Sequence, residues 1–191
     1  DAGSIVVAAR GYNARVNATV VNNTLSSGDV AIAMTARTDR GSVVTGGVHN
    51  NIVSYMRGYG IVIVGSGDQR LAGLINSHNL IYSVRDNFFE PGPGTLYLAP
   101  QFQSAAGGDF ALKPGSAAIN AGLGAALPNS VNQDNLGNPR RNGPIDIGAV
   151  ESTAAENAYA VPTLSGPAIA LLCLLLLAAH QSHRRSRQNT G

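Results

Sequence analysis

The sequence predicts an all-β solenoid, a parallel β-helix of about three coils of roughly 28 residues each, and three observations carry that reading. Asn23, Asn51 and Asn79 recur at one constant interval, inside Val20-Val21-Asn22-Asn23-Thr24-Leu25, Val48-His49-Asn50-Asn51-Ile52-Val53 and Asn76-Ser77-His78-Asn79-Leu80-Ile81. The pair after each Asn is apolar or β-branched, and a second run at 30–34 answers to 59–64. Composition agrees, with 23 Gly, no Trp, 13% charged residues and 5% aromatics. Tight turns and small stacked side chains suit coils better than bulky core fillers. If each period is one coil, equivalent residues lie about 4.8 Å apart, the spacing between paired strands. Stacked Asn amides then bond to one another as a ladder. Asn also tolerates the left-handed backbone of a bend. The apolar pair after it is expected to stack inside the coil.

In chain order, residues 1–9 read as the last strand of a preceding coil, because 4–9 is already a strand and an uncapped solenoid end exposes unpaired backbone. The expectation is therefore a C-terminal piece of a longer exported protein. Residues 16–34 form the next coil, 36–42 a polar loop, 43–64 another coil, and 65–70 its closing loop. A third coil begins at 71–82. The period then fails, since Pro91 and Pro93 lack the donor a strand ladder needs. The expected organisation is coils over 1–94, a C-terminal capping segment over 95–151, a small-residue linker over 152–160 and a tail over 161–191. Within the cap, Pro114-Gly115 suits the two central positions of a type II turn.

The residues of the cap carry a resemblance. Phe102, Phe110-Ala111-Leu112, Pro114-Gly115-Ser116-Ala117-Ala118-Ile119-Asn120-Ala121-Gly122 and Asp146-Ile147-Gly148-Ala149-Val150-Glu151 resemble the C-terminal end of bacterial right-handed parallel β-helix proteins of the choice-of-anchor Q type. Asn120 stands where that family commonly has Asp, and Ala117 where Pro is usual. The resemblance implies the right-handed coil, an anchoring tail and no catalytic group in this segment. The tail fits that implication. Val161, Pro162, Thr163, Leu164 and Ser165, an apolar run at 168–179 and then Arg184, Arg185 and Arg187 are similar to the bacterial C-terminal sorting signal named for its Ile-Pro-Thr-Leu opening (IPTL-CTERM-like). Val161 replaces the Ile, and Gly166-Pro167-Ala168 replaces the usual Glu-Trp-Gly. The twelve apolar residues are fewer than the ~20 that span a bilayer. Read over 158–179 the stretch reaches twenty-two, and the Arg cluster behind it is expected to stay cytoplasmic as a C-terminal hydrophobic helix crosses the membrane.

Charge excludes one class of partner. Net charge is +2, yet residues 1–157 hold ten Lys+Arg against eleven Asp+Glu, and nothing clusters into a nucleic-acid footprint. The single cysteine, Cys173, gives no disulfide framework. Candidate ligand-binding residues are few. Asp39 and Asp68 fall in matching loops beside Arg40 and Arg70, as a Ca²⁺ or sugar site or, more simply, as turn residues in solvated ion pairs. Tyr55 and Tyr82, beyond the Asn bend, form either an exposed platform for a sugar ring or ordinary stacking along a flank. His49 and His78 miss the Asn period by one residue, a slip that puts them on different faces, and no metal is assigned. Asp134, Asp146 and Glu151 near Arg140 and Arg141 read as ties within the cap. No catalytic residue and no cofactor are assigned.

The expected function is structural display or adhesion by an exported, envelope-anchored protein. Its partners would be the membrane, a sorting protease and a polysaccharide. The expected location is the bacterial cell envelope, with the N-terminal part outside and the Arg-rich end cytoplasmic before any processing. The alternatives are a polysaccharide lyase or hydrolase whose catalytic coils lie upstream, and a carbohydrate-binding β-helix.

Overall fold

A computed structural model describes residues 4–66, 71, 73–88 and 91–152. The chain divides into two compact units, Asp1–Asn157 and Ala158–Gly191, and every described residue lies in the first. The architecture is all-β, with no α-helix among the described residues. Strands β1 (Ile5–Ala9), β2 (Arg15–Val21), β3 (Thr24–Ser26) and β4 (Val30–Ala36) come first. They are followed by β5 (Val43–His49), β6 (Ile52–Gly65), β7 (Leu74–Ser77) and β8 (Leu80–Phe88). A short antiparallel hairpin, β9 (Phe102–Ser104) with β10 (Asp109–Leu112), stands apart from these.

Every strand pair among β1–β8 is parallel. Strand β2 pairs β5 and β5 pairs β7, with Arg15 opposite Val43 and Gly46 opposite Leu74. In the other sheet β3 pairs β6 and β6 pairs β8, so Thr24, Ile52 and Leu80 share one column. Strand β4 also pairs β6, with Val30 opposite Tyr59, and β1 pairs β4. The chain thus alternates between the two sheets, except that β3 and β4 both pair the long β6, while successive repeats stack in register. That arrangement is compatible with a β-helix.

Bends recur at the same interval as the strands. Positive φ falls on Asn13 and Gly41, on Asn22, Asn50 and His78, and on Ser27, Tyr55 and Ser83. Each of these columns advances by one repeat. The expectation that Asn23, Asn51 and Asn79 make the bend is therefore corrected by one position. The residue before each of them takes the left-handed conformation, which frees the second Asn for the ladder.

Two apolar clusters follow from the alternation. Leu25, Val53 and Ile81 join Ile32, Met34, Val44, Val48 and Ile61 in the larger one. Ile52 and Leu80 face the other way, into a cluster with Phe102, Leu112, Ala118 and Ile147. Only the second residue of each apolar pair stacks among the repeats, because neighbours on a strand point to opposite faces. The first residue is covered from outside by the C-terminal segment.

That segment starts by extending the ladder. Leu96 forms a parallel bridge with Leu80, the Leu96 N–H donates to Asn79 O (2.8 Å), and Gly94 adopts positive φ beneath His78. The ladder expected to stop at the prolines therefore resumes at Leu96, with Pro93 supplying only a carbonyl, to the His78 N–H (2.9 Å). The Ser116 N–H donates to Lys113 O (3.1 Å) with Gly115 at φ 89°, the type II turn expected of Pro114-Gly115. The chain then runs back along the flank of the repeats. Gly148 passes so close to the column that an added Cβ would lie 2.6 Å from Ile52 Cδ1 and 2.9 Å from Thr24 Oγ1. Its φ of 106° also belongs to glycine.

Candidate functional site

Two adjacent polar columns line one corner of the repeats. In the first, the Asn23 Nδ2 donates to Asn51 Oδ1 (3.0 Å) and the Asn51 Nδ2 to Asn79 Oδ1 (3.0 Å). The backbone N–H groups of Asn23 and Asn51 donate to the same two oxygens, also at 3.0 Å. Asn51 and Asn79 also reach back to Val20 O and Val48 O (2.9 Å each). In the second column, Asn22 and Asn50 hold the C-terminal segment. The Asn22 Nδ2 donates to Asp146 O (2.9 Å), the Asn50 Nδ2 to Leu123 O (3.1 Å), and the Leu123 N–H to Asn50 Oδ1 (2.8 Å). Sequence reasoning found the first column and missed the second, although the doublets Asn22-Asn23 and Asn50-Asn51 were its signal.

A buried polar cluster ties the same segment to itself. Arg140, 3% exposed, bonds Glu151 Oε1 through Nη1 and Gly148 O through Nη2 (3.0 Å). Asp146 accepts from the Asn120 N–H (2.7 Å) and from Ser152, while the Glu151 N–H donates to Asp134 Oδ2 (2.7 Å). Burial pushes the Glu151 carboxyl up to about 7; the Asp146 N–H bonded to it and the charge of Arg140 oppose the rise, and the carboxylates of Asp146 and Asp134 add to it. Arg141 is not part of this knot; it bonds Asn132 and the carbonyls of Leu127 and Pro128.

Asp39 is paired, but not with the expected Arg40. The Arg37 guanidinium clamps both its oxygens (3.0 and 2.8 Å), and the Ser66 hydroxyl donates to Oδ1. These bonds, Arg37 first, hold the exposed carboxyl well below the usual carboxylate range. Arg40 instead lies over the Tyr12 ring, 5.0 Å from its centroid. Asp68 and Arg70 lie outside the described residues, so the loop pair reduces to Asp39 with its own partners.

Tyr55 and Tyr82 are brought together, with ring centroids 5.5 Å apart and planes at 86°. Tyr82 stands opposite Ser54, one residue out of step with Tyr55, which explains the edge-to-face contact. A perpendicular pair offers one ring face rather than a flat double platform. Beside it a cavity of about 390 Å³ is lined by Tyr82, Arg85, Asp86 and Tyr97.

His49 sits opposite Ser77, and its Nδ1 lies 2.9 Å from Ser77 Oγ. Burial, then the neighbouring His78, lowers its pKa. Among the described residues no three His, Cys, Asp or Glu side chains gather where a metal could bind. Among them, too, no helix is long and apolar enough to cross a membrane. The sorting-signal residues Val161, Pro162, Thr163, Leu164, Ser165, Arg184, Arg185 and Arg187, and the apolar run between them, lie outside the described residues.

Comparison with family models, with curated proteins and with solved structures gives no match.

Proposed function

We propose that the chain is a right-handed parallel β-helix of an exported bacterial protein, serving as a stiff element for display or adhesion at the cell envelope. The Asn23–Asn51–Asn79 ladder carries the reading. A column of amides bonded through consecutive repeats holds a fixed axial rise and suits a rod better than a movable catalytic loop. The resemblance of the segment ending at Glu151 to choice-of-anchor Q proteins supports the handedness. The sorting-signal-like tail supports the envelope. In this reading the apolar run near 168–179 forms a C-terminal helix that holds the protein at the inner membrane, with residues 1–160 outside. A sorting protease then cuts near 161–165.

A second reading, a carbohydrate-binding flank, has one observation in its favour: the exposed Tyr55 ring beside the cavity that holds Arg85 and Tyr97. Arg85 there suits an acidic sugar.

Fractionation tests the first reading. Behind a signal peptide the full chain should pellet with membranes, and a version ending at Glu151 should be released to periplasm or medium. An uncut full chain found wholly in the soluble fraction contradicts the anchor. In the same preparations, acidic glycans with Ca²⁺ should yield no new unsaturated or reducing ends. Release that disappears with Asp39→Ala would transfer the protein to the polysaccharide-cleaving alternative.

A further inference from the structure

Reactivity separates one asparagine from the rest. Asn142 is followed by Gly143, and no other Asn in the sequence precedes a Gly. The carboxamide of an Asn is open to attack by the backbone nitrogen of the next residue, which closes a succinimide ring. A side chain on that next residue crowds the nitrogen and restricts its approach, and Gly alone has none. The reaction also needs both groups free of hydrogen bonds.

The fold denies these conditions to the corner asparagines. The Asn51 carboxamide is bonded to Val20 O, His49 O and Asn79 Oδ1, and the nitrogen after it, on Ile52, donates to Asn23 O (2.8 Å). The nitrogens that follow Asn22 and Asn50 are held by the ladder, donating to Asn51 Oδ1 and Asn79 Oδ1 (3.0 Å each). Asn138 precedes Pro139, whose nitrogen carries no proton to lose. Asn142 meets none of these restraints. It lies on the exposed bend 141–144, between Arg140 and Ile145, both buried. Among the described residues neither its carboxamide nor the Gly143 N–H has a hydrogen-bond partner. A Cβ added to Gly143 would meet nothing within 4 Å.

We propose that Asn142 is a self-modification site, at which the folded chain deamidates through a cyclic imide. The Gly143 nitrogen bonds to Asn142 Cγ as the Cγ–Nδ2 bond breaks. The side-chain nitrogen leaves as ammonia, taking the proton from the Gly143 nitrogen. Water then opens the ring at either carbonyl. One opening leaves an aspartate and the other an isoaspartate, whose backbone runs through Cγ, and each adds a carboxylate. Water is the only co-reactant, and nothing is oxidised or reduced. Because the bend is exposed between two buried ends, the new charge falls in solvent and not in the Arg140–Glu151 knot. The surface charge of the C-terminal segment therefore shifts with the age of each molecule. The site does not depend on the envelope location, so a failure of anchoring leaves it standing.

Ageing the full chain in warm, mildly alkaline buffer tests the proposal, read by ammonia release and peptide mapping. Asn142 should convert first, gaining about one mass unit and yielding isoaspartate. Asn22, Asn23, Asn50, Asn51 and Asn79 should stay intact. A free peptide copying residues 139–146, Pro-Arg-Arg-Asn-Gly-Pro-Ile-Asp, should react at the same rate, since the fold leaves the bend unrestrained. Gly143→Val, for which there is room, should slow the reaction about tenfold or more, because a β-branched side chain crowds and stiffens the approach. Asn142→Gln should remove the early ammonia. Unfolding speeds this chemistry by freeing the other asparagines, so a slower variant cannot be a misfolded one. A folded chain reacting far more slowly than the peptide, Gly143→Val reacting as fast as the parent, or ladder asparagines converting alongside Asn142 would each overturn the proposal.

Discussion

Neighbouring asparagines do different work at this corner. Asn22 and Asn50 accept a left-handed backbone, at φ 53° and 54°, and lend their amides to a segment far along the chain. Asn23, Asn51 and Asn79 keep to the ladder. Asn51, fully buried, is its most connected member, since its amide is bonded to both neighbouring repeats and to two carbonyls. Replacing it by Leu leaves Asn23 without its acceptor and Val20 O without its side-chain donor. Each buried polar group so stranded costs ~1–3 kcal/mol. Asn51→Leu should therefore lower the denaturation midpoint clearly more than Asn23→Leu, whose Oδ1 accepts from none of the described residues. Equal effects would contradict a ladder that gains strength inward. The spacing made the second Asn of each doublet legible in the sequence, because the same constraint recurs in three repeats. The role of the first was not legible, because its partners Asp146 and Leu123 follow no period.

Among the elements, the column of Thr24, Ile52, Leu80 and Leu96 joins the repeats to their cover. Ile52 is 1% exposed and has Thr24 and Leu80 as its strand neighbours, with Gly148 pressed against it. Ile52→Asp places a carboxylate where nothing offers it a partner, and burying an unpaired charge is among the most costly changes a core meets. That variant should fail to fold, while Ile52→Val should cost only about 0.5–1.5 kcal/mol. A circular-dichroism melt that is unchanged for the Asp variant contradicts the cover. The strands and their register were readable from β-branched runs at a fixed interval. The outward direction of Ile52 was not, since alternation alone does not say which face a distant segment will shield. The return of the ladder at Leu96 was hidden too, because Pro91 and Pro93 remove donors, while the Pro93 carbonyl still serves the previous repeat.

For the molecule as a whole, stability depends on keeping the C-terminal segment laid along the repeats, and the Arg140–Glu151 knot is where that segment is tied. Glu151 has its folded pKa raised from 4.5 to about 7, chiefly by burial. A raised value means that folding favours the protonated form. The contribution is fully present below about pH 4.5 and is lost as pH rises through about 7. The melting temperature should fall across that window, and Glu151→Gln should flatten the fall; a slope unchanged by the substitution would place the titration elsewhere. The proposed rod stands or falls on parallel stacking at the constant offset that sets Thr24 against Ile52 and Ile52 against Leu80. Nuclear Overhauser contacts in the isotopically labelled full chain read that offset most directly. The account predicts backbone cross-peaks linking Thr24 with Ile52 and Ile52 with Leu80, together with side-chain amide contacts from Asn23 through Asn51 to Asn79. Strong Hα–Hα contacts between facing strands, the mark of antiparallel pairing, or cross-peaks at any other offset would contradict it.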